Sequence, residues 1–431
     1  MPSSFKYLPR AVYYLNLRKS LANFLKVTWS DTWSENGEKV REFKQSLCEF
    51  TDYPELHFTG HARIALFHIL RFLAFPRGSE ILMTPISLAE MLKMVRLNDL
   101  VPKFVGYKVG SFDLDYSSAA VTDKTKAFLY TPLAGIHTPP DELLAFCKKH
   151  NLILIQDLTQ SFTGREFRTE IAVGDYNFWS LCDLKTLHTH RGGIVHGRNE
   201  QFNNYMQEAS ASWFLPPSRK YFLTFIFEDL ISGLFLNREF FNCIGHFVVS
   251  VMRKIDPHLL ENITAGNAFS KSQSELLKNF MASGNDWQSS EIPPEQKYRY
   301  CDVLAETGLE RLPLTNDIIR RRNTNVRSFY SQLSPGARKL MPTNLREERQ
   351  LFWRAPLLVS DFLGFQEFLW NYKIDCARSN LPWLPDLLSD SSVPGRQMKE
   401  NCVYLPIYHY LTPDEVTYVA DKVNLYAARN A

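Results

Sequence analysis

The sequence is poor in the features that define several whole classes of protein. Its seven cysteines (Cys48, Cys147, Cys182, Cys243, Cys301, Cys376, Cys402) form no CxxC pair and leave an odd count. That speaks against a zinc ribbon or a disulfide framework and points to a reducing, cytoplasmic compartment. Charge of one sign is also scarce. The 49 basic and 46 acidic residues leave a net +3, which argues for no nucleic acid as a partner. No internal repeat and no Gly/Pro period occurs, so the chain is neither fibrous nor disordered. The opening MPSSFKYLPRAVYY has no apolar run of the kind a secretory signal needs. With 431 residues, 45% of them hydrophobic, the chain has material for a large buried core. At roughly 150 residues per domain it should divide into two or three.

Long hydrophobic runs are rare, with one exception at 212–254. A spanning helix needs about 18 or more apolar residues with few charges. Glu228, Asp229, Arg238 and Glu239 interrupt this run, so a transmembrane reading is weak. Two readings stay open. The segment is a pair of helices buried in an interface, or it is a monotopic hairpin making peripheral membrane contact through 212–254. In the second, Arg219, Lys220, Arg253 and Lys254 would lie at lipid headgroups.

Elsewhere, short apolar runs at Ile81–Met83, Lys103–Val105, Ala127–Tyr130, Leu152–Gln156, Phe178–Leu181 and Gly193–His196 read as strands. Amphipathic stretches at 62–74 and 142–150 lie among them. This alternation predicts an α/β domain with a mainly parallel sheet flanked by helices, and a ligand at the carboxyl ends of its strands. The polar, Pro-containing link 289–297 then opens a different texture, with a helix over 320–333 and strands within 351–359 and 402–406. The expected division is 1–285, a large α/β domain carrying the apolar insert, and 286–431, a smaller C-terminal α+β domain.

Three local features of the first domain complement one another. Asp157 ends the apolar run LILIQ and is followed by Thr159 and Gln160. Lys185 follows in GDYNFWSLCDLK, with Ser180 five residues before it. Upstream, FTGHARIAL (58–66) is a strand exit with a Gly turn opening a helix, whose first amides can cradle a phosphate. Each has an ordinary reading: a helix cap, a solvated charge, a positive φ. Together they supply what pyridoxal 5'-phosphate (PLP) needs: a lysine, a carboxylate for the pyridinium proton, and donors for the phosphate.

These residues resemble the DegT/DnrJ/StrS family of PLP-dependent sugar aminotransferases. GDYNFWSLCDLK (174–185) with Gly192-Gly193 after it is similar to the family's lysine block, and DLTQSF (157–162) to its Asp-x-x-Gln. GHA (60–62) stands where the family has Gly-Thr, and 352–359, 371–385 and 403–423 resemble its C-terminal domain. The resemblance implies a fold-type-I PLP transferase. Lys185 would then be the Schiff-base lysine and proton shuttle, and Asp157 the partner of the pyridine nitrogen. Gln160 would lie near the ring hydroxyl, with Ser180 and the amides of Gly60 and His61 on the phosphate. Leu88 takes the position of the ring-stacking aromatic. Asn267 would reach the phosphate of a partner subunit in a homodimer.

Some positions depart from the family. Asp183-Leu184 replaces Pro-Thr before the lysine, and His188-Thr189-His190-Arg191 replaces a Gly-rich stretch. The i,i+2 pair His188 and His190 has no carboxylate or cysteine set to complete a metal site, so substrate contact or surface exposure is expected and no metal. The resemblance implies an enzyme that moves an amino group from an amino acid, glutamate, to a nucleotide-linked keto-sugar in surface polysaccharide or amino-sugar biosynthesis. The alternative is a non-catalytic homologue serving as a binding or scaffold subunit.

Overall fold

The computed structural model describes residues 6–11, 17–30, 37–166, 171–235, 237–255, 288–343, 345, 350–379 and 381–430. Asn267 lies outside them. The centre is a seven-stranded sheet built from β1 (His57–Thr59), β2 (Glu80–Met83), β3 (Val101–Phe104), β6 (Thr125–Tyr130), β7 (Ile153–Asp157), β8 (Tyr176–Ser180) and β9 (Gly193–Gly197), in the order β1-β9-β8-β7-β6-β2-β3. A short ribbon, β4 (Gly106–Tyr107) with β5 (Leu114–Asp115), stands apart from it.

Strands β3, β2, β6, β7 and β8 pair in parallel; β9 runs antiparallel to both β8 and β1. The strand positions fall where the apolar runs place them, because a parallel sheet covered on both faces selects continuous hydrophobic segments. Helices α1 (Leu17–Trp29), α2 (Glu38–Thr51), α3 (Ala62–Leu73), α4 (Ala89–Arg96) and α5 (Pro140–Lys149) belong to this half. One side of the sheet packs α3 and α4 through Ile64, Leu66, Met91 and Leu92 against Ile81, Leu129 and Phe178. Gly193 on β9 is needed for the approach of α3, since a Cβ there would lie 2.6 Å from the Ala62 amide nitrogen.

The apolar insert forms two helices after α6 (Glu200–Ser212). They are α7 (Arg219–Phe235) and α8 (His246–Ile255), the latter entered through a π-turn at Phe241–Gly245. Among the described residues, no helix is long and apolar enough to cross a membrane. Phe222, Phe225 and Ile226 are buried against the sheet's neighbours, whereas Phe227, Ile244 and Phe247 face outward.

Beyond it come α9 (Asp302–Arg311), α10 (Thr315–Ser331), α11 (Phe362–Asn371) and α12 (Pro413–Arg429). They accompany a three-stranded antiparallel sheet of β10 (Ala355–Leu358), β12 (Cys402–Leu405) and β11 (Ala377–Arg378). The chain near its beginning returns to this sheet's surroundings. Leu8 bridges Ile374, and Arg10 makes a buried ion pair to Asp375 at 2.7 and 2.8 Å. One continuous apolar cluster joins Leu82, Phe128 and Leu154 of the large sheet to Phe352, Leu357 and Val403 of the small one.

Candidate active site

Parallel strands deliver their carboxyl ends to one edge of the sheet, and that edge collects the charged residues. Asp157 is the last residue of β7, paired in register with Phe178, and only 2% of it is exposed. Its Oδ1 accepts the Thr159 amide at 3.1 Å, which uses a fraction of a carboxylate's acceptor capacity. Burial pushes its pKa up, against the opposing pull of the Thr159 bonds and of Lys185. Lys185 has its pKa pushed down by burial and by Arg354, and held up by Asp157. The structure therefore brings buried Asp157 and half-buried Lys185 within electrostatic range of one another.

Lys185 is presented by strained backbone. Leu184 before it adopts φ +61, a left-handed conformation that costs a non-glycine residue about 1–2 kcal/mol. Its carbonyl is tied down by the indole Nε1 of Trp353, which donates to it at 3.1 Å. Lys185 Nζ lies over the same indole ring, 5.2 Å from its centroid. Trp353 is itself fixed through its amide, which donates to the Ala134 carbonyl at 2.8 Å. Ala134 (φ +57) and His190 (φ +74) are two more left-handed non-glycine residues in the loops around the lysine. Such outliers persist only where surrounding packing over-determines them.

Gln160 is buried, and its carboxamide oxygen accepts the Ala134 amide at 2.6 Å. It thus ties the 131–138 loop to the end of β7, leaving its NH2 group to donate elsewhere. The Gly turn sits beside β9: His61 bridges Gly192, and Ser180 pairs with Gly193. The Ser180 hydroxyl oxygen accepts the Cys182 amide at 3.2 Å, which keeps its own O–H available as a donor. His61 precedes α3, and burial together with Arg63 and Arg191 pushes its pKa well down, so the ring is neutral. Glycine is required at 60 for a reason the sequence did not reveal. A Cβ there would meet the carbonyl oxygens of Tyr298 and Gln296 at 2.6 and 2.8 Å.

Leu88 starts α4 beyond β2, half-buried, and packs against the core beneath that helix. His188 and His190 are both buried, with their rings 6.2 Å apart edge to face, so they are not surface residues. Phe225 of the insert lies 5.8 Å from the His190 ring. Among the described residues, no group of three or more His, Cys, Asp or Glu could hold a metal.

Sequence reasoning overlooked Trp353, Arg354 and Arg322. Arg354 stacks on Trp353 at 4.5 Å, and Arg322 donates from Nη2 to the Thr186 hydroxyl at 3.0 Å, one residue past the lysine. The aromatic–basic pair at the head of FWRAPLLV was the available signal for the first two.

The donor set fits PLP: a buried carboxylate with spare acceptor capacity, a half-buried lysine, and a hydroxyl donor beside the start of α3. The mainly parallel seven-stranded sheet flanked by helices is the fold of solved aminotransferase structures. TlmJ, an aminotransferase from Streptoalloteichus hindustanus, superposes with a TM-score of 0.67 at 15% identity, over 99% of this chain and all of that one (100%). Residues 17–214 match the model of the DegT/DnrJ/EryC1/StrS aminotransferase family. The spore coat polysaccharide biosynthesis protein SpsC of Bacillus subtilis is 24% identical over 177 residues, 40% of this chain and 46% of SpsC. The dTDP-4-amino-4,6-dideoxy-D-glucose transaminase of Escherichia coli is 28% identical over 144 residues, 32% of this chain and 38% of that enzyme. The chain thus spans less than half the length of both relatives.

Proposed function

We propose that this protein is a PLP-dependent aminotransferase that moves an amino group from an amino acid, glutamate, to a nucleotide-linked keto-sugar. The observation that carries the reading is Asp157, buried at the carboxyl end of its strand within electrostatic range of half-buried Lys185. A family match through that region and relatives named for polysaccharide biosynthesis and sugar transamination support it.

When bound, PLP supplies an electron sink conjugated to the reacting carbon. Asp157 would keep the ring nitrogen protonated, and burial strengthens that contact by excluding water. Ser180 and the first amides of α3, with Gly60 and His61, would hold the phosphate; Gln160 would face the ring hydroxyl. Lys185 Nζ would hold the group and would serve as the base that takes a proton from the donor's α-carbon. Its lowered pKa enlarges the neutral fraction that such a base requires. Trp353 and the Leu184 carbonyl fix the direction from which the amine approaches.

Division of the chain at 285/286 belongs to this reading, as do a cytoplasmic location and a homodimer. Seven free thiols support the compartment. Outward apolar residues on α1 and the insert, Trp29 at 82% and Phe247 at 66% exposure, support an interface between copies. The test is spectroscopic. Purified protein given PLP should absorb near the visible edge, lose that band in Lys185→Ala, and bleach with L-glutamate. Binding without conversion by any amino acid would favour the scaffold alternative; no binding at all would remove the cofactor reading.

A further inference from the structure

The apolar insert encloses the turn where α3 begins. Leu215, at its entry, bridges Tyr298; its amide donates to the Lys297 carbonyl and its own carbonyl accepts the Arg299 amide, both at 2.9 Å. That pairing fixes the segment whose carbonyls, at Gln296 and Tyr298, press on Gly60. Tyr221 on α7 packs its ring edge to face on the Tyr298 ring at 5.2 Å. One turn on, Phe225 is 2% exposed and reaches two residues of the loop after Lys185. It meets the His190 ring at 5.8 Å, and the Arg191 guanidinium lies over its face at 4.8 Å.

The backbone also holds Arg191 beside that turn. Gly192, the next residue, bridges His61, and the Thr189 hydroxyl donates to the Arg191 carbonyl at 2.8 Å. Tyr300 in turn donates its hydroxyl to Thr189 at 2.9 Å. Cys182 Sγ lies 4.0 Å from His61 Nδ1 and 3.9 Å from the Gly192 carbonyl oxygen, so residues 61, 182 and 192 converge. After burial, the charges of Arg63 and Arg191 push His61 down, and both also reach Tyr221. The Arg191 guanidinium thus stands between the insert and the first turn of α3.

A phosphate monoester is a dianion. Backbone amides and one serine hydroxyl offer it dipoles, and the neutral His61 ring adds no charge. A guanidinium supplies a full charge and paired N–H···O bonds to phosphate oxygens. Stacking on an aromatic face fixes its plane before the anion arrives. The stretch 188–191 departs from the Gly-rich pattern of the family this sequence resembles, so the cation and the ring beneath it are features of this chain.

We propose that Arg191 binds the phosphate monoester of the cofactor, and that Phe225 of the insert is a positioning residue holding its guanidinium there. This rests on the PLP reading for the identity of the phosphate. The insert is then a wall of the cofactor site, and its hydrophobic excess has a use inside the molecule.

The test compares PLP with pyridoxal, which has the same ring and aldehyde and lacks the phosphate. Binding of each to the full chain is titrated by visible absorbance. Arg191→Gln should weaken PLP tenfold or more, the worth of about one charge-assisted hydrogen bond. It should leave pyridoxal within about twofold. Phe225→Leu keeps bulk and removes the aromatic face; it should weaken PLP about threefold, in line with a cation–π contact, and spare pyridoxal. A merely structural role would weaken both ligands alike. Inorganic phosphate should raise the thermal midpoint of the cofactor-free chain, and Arg191→Gln should lose that rise.

An unchanged ratio of PLP to pyridoxal affinity in Arg191→Gln overturns the proposal, as does equal weakening of the two. An unchanged ratio in Phe225→Leu overturns the positioning role. If Arg191→Gln fails to fold, Arg191→Met keeps the side-chain stem over Phe225 and carries the same comparison. A wild-type chain that binds PLP and converts no amino acid removes the transaminase reading and leaves this one standing. A wild-type chain whose midpoint ignores both PLP and inorganic phosphate overturns the phosphate site itself.

Discussion

Replacing Gly135 by alanine should disturb the site from behind, without touching any group proposed to react. Gly135 has φ +76, and a Cβ on it would lie 1.9 Å from the Leu351 carbonyl oxygen and 2.8 Å from the Trp353 amide. Both contacts are backbone, so neither can swing aside. The left-handed conformation costs alanine about 1–2 kcal/mol. Overpacking of a rigid contact adds about 1–3 kcal/mol. Shifting 351–353 also endangers the Trp353 amide bond to Ala134 at 2.8 Å, a bond of about 1 kcal/mol. The expected loss is about 3–6 kcal/mol in urea unfolding of the ligand-free protein. Gly78 provides the control, with φ +81 and nothing within 4 Å of its added Cβ. Gly78→Ala should cost about 1–2 kcal/mol, the conformational part alone. Equal losses in the two variants would refute the close-approach argument. Cofactor retention should fall in Gly135→Ala only, because Trp353 carries Leu184 and Lys185 with it.

Asp157→Asn should weaken PLP retention tenfold or more, the worth of about one charge-assisted bond. The same change should stabilise the ligand-free protein at neutral pH. The carboxyl is held above its usual range by burial, so its ionised form costs stability above the unfolded pKa, and asparagine removes that cost. Retention equal to wild type would dismiss its role at the ring nitrogen. His68, His137 and His190 are pushed down by burial to about 4, 3 and 4, and the unfolded chain binds their protons first. Stability should therefore fall as pH drops from about 6.5 toward 4, by up to about 1.4 kcal/mol per pH unit for each histidine. Thermal midpoints that stay level over that window would contradict it. Trp29→Ser with Phe247→Ser should convert a sedimenting dimer to monomer; flotation of the intact chain with lipid vesicles would assign that face to a membrane instead.

Strands β2, β6, β7, β8 and β9 were legible because burial on both faces writes each one as a largely apolar run. Asp157 and Lys185 were legible because each ends or follows such a run inside a spaced block. Residues brought in by tertiary approach were not. Nothing near Gly60 announces that the backbone of 296–298 presses against it. In RRRNTNVRSFY, three consecutive arginines look alike, and only packing decides their fates. Arg320 and Arg321 extend to Glu166 and Asp317 at the surface, whereas Arg322 turns inward to Thr186. The insert was half legible. Its hydrophobic excess demanded cover, and Phe222 and Phe225 obtain it within the chain while Phe227 and Phe247 do not. His188 and His190 read as surface or substrate residues because their polar neighbours hide the aromatic wall that encloses them.

The ion pair between Arg10 and Asp375 closes a gap of 365 residues, and that gap is also an interval of time. A ribosome adds about 5–20 residues each second, so Arg10 is made roughly 20–70 s before its partner. Throughout that interval the strip 8–10 has no place to dock, and Arg354, which leans on the Arg10 carbonyl, is itself made late. The corner that holds Arg354 is therefore among the last parts of the molecule to be assembled, long after the sheet that carries Asp157 has emerged. A chain arrested before residue 375 would hold both Arg10 and Arg354 and lack the carboxylate that docks the 8–10 strip.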